Sequence, residues 1–466
     1  MNTYINQHTT VQSMENSNDW DDDYQEGYER VGPPRPTIRN VRSESGPDVP
    51  AETVEVLNAT GNVRRRKILI LVGCTLINFC QSVVFAMAVL GKINSDLTNE
   101  QADDIRKALL ITRRLGVPFA SLLMIGLGYR IVGIAGCSLV GLGLFIAAWV
   151  PRVAVGGITF LVGGVAGLGF AFLSLTVIIP ILETFTKHRL RYVVLIRSVE
   201  SVAATVFAGI TLVPDIDIDW RILYRYQLII MVIAGAACVL LKPLDRTTVD
   251  TNNGVIGRLL GLSDFSIFRG VALYLLVIVY FLDQLGKPIP VYELSSLLQD
   301  PTKGFGTDLS VRVIVTLPFI GSLLGLLTLV FWHRFSLVDI LWTLGPVNIV
   351  SGLLTFQAPA LSKVAWVAVY AVGFGMSIGV FLALVDNVIP HAFGKQRIRI
   401  VEGILGLASG VGHVISFPVN DALKIQTNDY EPSFYLSGSA LITSGLLAIG
   451  FRFVLLRQNN KKENDR

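Results

Sequence analysis

The sequence predicts an all-α polytopic membrane protein, with twelve transmembrane helices in two pseudo-repeated six-helix halves. Three observations predict it. Of 466 residues, 52% are hydrophobic and only 16% are charged, against roughly 25% charged in a typical soluble domain. A soluble chain of this length would form two or three domains, and so little charge cannot cover them. The apolar residues gather into twelve runs, each near the about 20 residues that cross a bilayer. A polar stretch, 242–265, separates six runs from six. A soluble enzyme, a collagen-like fibre and a secreted disulfide scaffold are all disfavoured.

The chain opens with an acidic tail. Its first 63 residues hold eleven Asp/Glu and four Arg, with Asp21-Asp22-Asp23 and Pro33-Pro34-Arg35-Pro36. That composition cannot bury a core, so 1–63 is expected to be a disordered cytosolic tail. No cleaved signal is expected, because the first apolar run follows Arg64-Arg65-Arg66-Lys67. The N-terminal half, 64–241, has runs at 68–91, 108–129, 131–150, 155–181, 192–213 and 223–241. The stretch 242–265 is a central cytosolic loop. The C-terminal half, 266–456, has runs at 267–291, 309–332, 337–356, 364–389, 400–423 and 434–456, and a short cytosolic tail, 457–466, ends the chain.

Basic residues in short loops set orientation. Arg64 to Lys67, Arg130, Lys187 with Arg189 and Arg191, Lys242 with Arg246, Arg334, Lys395 with Arg397 and Arg399, and Arg457 with Lys461 and Lys462 all fall on one side of a twelve-span chain. The opposite loops include Asp215-Ile216-Asp217-Ile218-Asp219. Both termini are therefore expected in the cytosol. The sequon Asn58-Ala59-Thr60 points the other way, and the basic loops outweigh it.

The halves echo each other. Pro118-Phe119 in span two and Pro318-Phe319 in span eight each follow an upstream Arg, 200 residues apart. Duplicated halves build transporters whose site lies between them near the midplane. Gly163 with Gly167, and Gly406 with Gly410, make small-residue faces for close helix packing. Cys74, Cys80, Cys137 and Cys238 lie within apolar runs without metal-ligand spacing, and read as small buried residues.

Several segments carry a family resemblance. Gly128-Tyr129-Arg130-Ile131-Val132-Gly133 is similar to a turn into span three, Asp219-Trp220-Arg221 to a Gly-Trp-Arg before span six, and Phe185-Thr186-Lys187-His188-Arg189 to an entry to span five. Tyr430-Glu431-Pro432-Ser433-Phe434-Tyr435-Leu436-Ser437-Gly438 is similar to a segment before span twelve. Over about 64–456 the chain thus resembles the major facilitator superfamily, and within it the monocarboxylate transporter family. The resemblance implies the major facilitator fold, a plasma-membrane location and a monocarboxylate or similar small organic anion as substrate. It also admits aromatic amino acids and other amphipathic solutes, and a single-span membrane glycoprotein that acts as chaperone for some members. Proton-coupled members carry a Lys in span one and an Asp-x-x-x-Arg-Pro in span eight. Met87, Val313 and Leu317 stand at those charged places, so weak or absent proton coupling is expected.

A charge in the hydrocarbon region costs about 2.5–3.5 kcal/mol on insertion scales and usually meets a cavity or a partner. Arg113, Arg114, Arg197 and Arg312 are the candidate substrate-binding cations. Glu200, Asp283, Lys287 and Asp386 are the candidate coupling or ion-pair residues. Arg197 and Glu200 share a face at i, i+3, and Asp283 and Lys287 at i, i+4. Lys287 is placed near the outer interface, where it would snorkel. Asp386 and Glu402 are placed near the cytosolic ends, within reach of Arg397 or Arg399. His413 reads as a hydrogen-bonded packing residue. Arg114 is the leading anion site: no acid stands at i±3 or i±4, and its fork grips a carboxylate with two parallel hydrogen bonds. Arg113 points about 100° away, so at most one of the two faces a central cavity.

The leading function is secondary active or facilitative transport by alternating access. No Gly-x4-Gly-Lys-Ser/Thr loop, nucleophile triad or metal-ligand helix motif occurs. Neither an ATPase nor an enzyme is expected, and no cofactor, metal or nucleic-acid partner. Expected partners are a small organic anion and the lipid bilayer. The alternatives are a non-transporting receptor or scaffold on a transporter fold, and a carrier of a neutral amphipathic solute.

Overall fold

The computed structural model describes residues 51–90, 99–151, 154–210, 220–241, 268, 270–298, 308–331 and 337–464. All regular elements among them are helical. Span one is Ala51–Leu90, span three Tyr129–Ala147, span five Arg189–Ile210 and span six Trp220–Leu240. Span two is a bent pair, Asn99–Leu115 and Val117–Leu127, and span four is the continuous stretch Val155–Thr184. Span seven is Val271–Gly286 followed by Pro288–Leu298, and span eight Asp308–Phe331. Spans nine to twelve are Leu337–Gln357, Val364–Phe393, Ile398–Thr427 and Glu431–Asn464.

Among the described residues, ten helices are long and apolar enough to cross a membrane, or eleven with the bent pair taken as one. Leu337–Gln357 stands at the place of the predicted ninth span. Large apolar side chains such as Phe119, Phe160, Val232 and Phe331 are exposed on the helix surfaces. Water would penalise such a surface and lipid does not.

The described residues up to Lys67 and those from Ile68 onward fall into two separate units. The helix of span one starts at Ala51, so 51–63 is helical where the sequence predicts tail. Pro50 precedes it, and Ala51-Glu52-Thr53-Val54-Glu55-Val56-Leu57 contains no Pro or Gly to interrupt it. The remaining tail, 1–50, the stretch Asp215–Asp219 and the predicted central loop 242–265 lie outside the described residues.

The halves repeat each other's packing. Span three packs on span six, and span nine on span twelve; span two packs on span four, and span eight on span ten. Asn78 Nδ2 donates to the Ile196 carbonyl (2.7 Å), joining spans one and five. Ser409 Oγ donates to Gln284 Oε1 (3.1 Å), joining eleven and seven. Between the halves, span two meets span eleven and span five meets span eight. Adding six to each span number exchanges these two contacts, as a two-fold relation requires.

Both predicted glycine faces seat span two. A Cβ at Gly163 would lie 2.7 Å from Ala108 Cβ, and one at Gly167 2.9 Å from Thr112 Cβ, so span four fits against it inside the same half. On the opposite side, Gly403, Gly406 and Gly410 of span eleven press against Ser121, Val117 and Leu115. Span four winds as a π-helix over Thr159–Ala166, where Gly163 sits. The turns into spans three and eleven hinge on Gly128 and Gly394, both at φ +80°, which L side chains rarely adopt.

Candidate functional site

Span two breaks where its charges lie. Pro118 has no N–H, so the carbonyl of Arg114, four residues earlier, loses its helical donor. The chain bends by 40° at Gly116 and regains its ladder when the Ala120 N–H reaches the Gly116 carbonyl (3.0 Å). Arg113 and Arg114 thus occupy the last turn of a half-helix, whose C-terminal dipole favours cations. This break lies against span eleven, because Leu115 meets Gly410 and Val117 meets Gly406.

The two arginines part company. Arg113 Nη2 reaches Glu200 Oε1 at 3.1 Å and Ser174 Oγ at 3.4 Å, and its guanidinium stacks 4.1 Å from the Phe85 ring centre. Glu200 Oε2 accepts from Arg197 Nη1 (3.3 Å), and Arg197 Nε and Nη2 both reach Asp386 Oδ2 at 2.9 Å. The result is a four-membered chain, Arg113–Glu200–Arg197–Asp386, with two cations and two acids. It crosses from the N-terminal half to span ten. The predicted i, i+3 pair is therefore present, but as the middle of a longer balanced network.

A second balanced cluster fills the C-terminal half. Asp283 is fully buried; its Oδ1 lies 2.5 Å from Lys287 Nζ and accepts from Asn348 Nδ2 (3.0 Å), while Oδ2 accepts from Gln284 Nε2 (2.8 Å). Asn348 Nδ2 also donates to Ser444 Oγ (3.0 Å). Spans seven, nine and twelve are pinned together by this cluster.

Lys287 does not snorkel as the sequence predicts. It is buried and sits 3.5 Å from the centre of the Phe381 ring, because the helical path continues past it through Pro288–Leu298. A second correction concerns the acids of spans ten and eleven. Asp386 pairs with Arg197 instead of Arg397 or Arg399. Arg399 makes a two-toothed pair with Glu183 of span four, Nε to Oε1 at 2.7 Å and Nη2 to Oε2 at 3.0 Å. Glu402 makes no ion pair among the described residues, and its buried Oε1 accepts no hydrogen bond.

Arg114 alone among the described predicted cations makes neither ion pair nor hydrogen bond. It is partly exposed and stands one residue before Leu115, which meets Gly410 of span eleven. This cation of the N-terminal half therefore lies beside the seam with the C-terminal half. His413 is the packing residue predicted: its Nδ1 lies 3.0 Å from the Ser409 carbonyl. The side chain of Arg312 lies outside the described residues. All four cysteines are buried and free.

Two contacts between the halves lie at opposite ends of the bundle. Glu183–Arg399 closes the end that carries the basic loops, reinforced by Ser121 Oγ donating to the Arg399 carbonyl (2.5 Å). At the other end Lys107 Nζ lies 2.9 Å from Asp421 and 3.3 Å from Asp103. The sequence offered no local sign of either closure, since Lys107 and Asp421 stand 314 residues apart and Glu183 and Arg399 216 apart.

No family model matches the chain. Curated relatives do. It is 30% identical to monocarboxylate transporter 12-B of Danio rerio over 113 residues, 24% of each chain. It is 29% identical to human monocarboxylate transporter 11 over 110 residues, 24% of this chain and 22% of that one. These two matches span about a quarter of the relatives' lengths. Mouse monocarboxylate transporter 1 is matched more broadly, at 25% identity over 415 residues, 78% of this chain and 80% of that one. Among solved structures, the fucose:proton symporter of E. coli covers 82% of this chain and 98% of its own, with TM-score 0.64 at 14% identity. A bacterial homologue of the iron transporter ferroportin in an outward-facing state covers 82% and 98%, with TM-score 0.61 at 16% identity. The chain has the major facilitator fold and is similar in sequence to curated monocarboxylate transporters.

Proposed function

We propose that the chain is a secondary transporter of a small organic anion or amphipathic carboxylate, working by alternating access between its halves. One observation carries this reading: Arg114, at the break of span two and beside the contact with span eleven, makes no ion pair or hydrogen bond among the described residues, while the other described cations among the predicted site residues each make an ion pair. An unpaired guanidinium in a low-dielectric interior is costly unless a ligand or water meets it. A carboxylate matches its fork. The curated relatives are named monocarboxylate transporters, which supports the same substrate chemistry.

Spans two and eleven supply the sliding surface. Glycines on one side and Leu115, Val117 and Ser121 on the other form a close contact without interlocking side chains. The end closures Glu183–Arg399 and Lys107–Asp421 are partly exposed pairs, worth about 0.2–1 kcal/mol each in water. Such pairs break and re-form readily, as alternating closure of the two ends requires. Coupling through Asp283 is disfavoured by its three partners, and Met87, Val313 and Leu317 carry no charge. The reading therefore includes weak proton coupling.

Uptake tests the reading. Protein in liposomes should accumulate a radiolabelled short monocarboxylate faster than empty liposomes, with little change between external pH about 7.5 and 6. No uptake of any carboxylate in a broad panel, from correctly folded protein, would favour a receptor or scaffold role. Both termini are placed in the cytosol and the protein in the plasma membrane. A tag at Met1 reached by antibody on intact cells, or glycan on Asn58, would reverse that orientation.

A further inference from the structure

Arg114 is one of two charges left over between the halves among the described residues. The chain Arg113–Glu200–Arg197–Asp386 balances itself, and so does Asp283–Lys287. Glu183–Arg399 and Lys107–Asp421 balance at the ends. What remains among the described residues of this region is Arg114, without an ion pair or hydrogen bond, and Glu402, whose buried Oε1 accepts nothing. They are opposite in sign and they do not pair with each other. The packing of spans two and eleven explains why. Leu115 sits beside Gly410, and Ser121 beside Gly403. Arg114 therefore lies level with the outer part of this contact and Glu402 with the inner part. Eight residues separate Gly410 from Glu402, about 12 Å along the helix axis.

We propose that the two residues hold the two ends of a zwitterion: Arg114 grips its carboxylate and Glu402 accepts hydrogen bonds from its ammonium group. This rests on the carboxylate-transport reading and narrows its substrate class to a small amino acid or amino-acid-like zwitterion. A simple anion would satisfy Arg114 and leave Glu402 buried beside a new negative charge. A zwitterion satisfies both and adds no net charge to an already balanced interior. The groups facing Glu402 agree: Asp386 from span ten is held by Arg197, and Arg197 itself is spent on Asp386 and Glu200. Among the described residues of these spans no cation is spare to answer Glu402 except Arg114, which makes no ion pair with it.

Matched pairs of compounds make the test. Proteoliposomes of the full chain are assayed with butyrate against 4-aminobutyrate, and propionate against alanine and β-alanine, with butylamine as the amine-only control. The amino compounds should be taken up, or compete for uptake, at concentrations about tenfold lower than their plain carboxylates, the worth of one charge-assisted hydrogen bond. Glu402→Gln should abolish that preference, so that amino compounds and their plain carboxylates are handled alike, and Glu402→Asp should keep part of it. If Glu402→Gln fails to reach the membrane, the wild-type preference between matched compounds still decides. Carboxylates carried as well as or better than their amino analogues would overturn the zwitterion, with the transport reading intact. So would butyrate uptake that rises as external pH falls and loses that rise in Glu402→Gln, since Glu402 would then be a proton site. Failure of every carboxylate, amino-bearing or not, would overturn both readings.

Discussion

Arg197 and Arg114 are two arginines of one half, both at the seam with the other half, and they meet opposite fates. Arg197 lies on an unbroken helix and finds Glu200 one turn along and Asp386 across the interface. Arg114 lies where Pro118 breaks the helix, and finds neither. The difference teaches how to sort charges in a membrane interior. A buried charge with a built-in counter-charge holds the protein together, and removing one partner strands the other. A charge without one is kept at a cost, and on the proposed reading that cost is met by what binds there. The Asp283–Lys287 cluster belongs with Arg197: it is more completely enclosed and lies wholly within one half.

That sorting is easiest to break where the balance is most buried. Lys287→Met should leave Asp283 charged and enclosed and should destabilise the protein by about 3–5 kcal/mol, whereas Lys287→Met with Asp283→Leu should recover most of it. Thermal unfolding in detergent measures both. If the single variant is as stable as the double, the cluster carries no structural load. Arg197→Leu comes next, with loss of about 3–5 kcal/mol because it strands two acids. Rescue should need both Glu200→Gln and Asp386→Asn. Rescue by Glu200→Gln alone would mean that the contact to Asp386 contributes little.

The contact between spans two and eleven sharpens the comparison from the packing side. A Cβ at Gly406 would collide with Val117, and one at Gly410 would lie 2.5 Å from Leu115 Cδ2. Gly410→Leu should cost about 1–3 kcal/mol by overpacking and should slow transport more than it lowers stability. Unchanged turnover would show that the halves do not move along this face. The smallest effect is expected at the ends. Arg399→Gln breaks a pair that is partly exposed on both sides and should change stability by about 1 kcal/mol or less. Its mark should be a shift in which side of the membrane labels an introduced cysteine more readily.

Much of the fold was legible because membrane spans advertise themselves locally, as apolar runs of the right length divided by a polar stretch. The pairs Arg197–Glu200 and Asp283–Lys287 were legible for the same reason, one helical turn being visible in sequence. Arg114 was legible by subtraction, since no acid stood within a turn of it. Partners on other helices were not. Arg113 meets Glu200 87 residues away and Arg197 meets Asp386 189 residues away, and no periodicity links them. The same blindness misplaced Lys287: polarity rises after Gly286, yet the helical path runs on through Pro288. Glu402 read as one more acid near a basic loop until Arg399 proved to be taken by Glu183.

Arg114 tests the account most directly. The measurement is uptake of a radiolabelled short carboxylate by liposomes holding equal amounts of wild-type, Arg114→Lys and Arg114→Leu protein. Since Arg114 makes no ion pair or hydrogen bond among the described residues, all three should fold and unfold at similar temperatures. Arg114→Lys should weaken uptake, keeping the charge but losing the fork, and Arg114→Leu should reduce it to the level of empty liposomes. Wild-type uptake in Arg114→Leu, or unfolding of that variant as severe as in Arg197→Leu, would contradict the claim that this unpaired cation is held for the substrate.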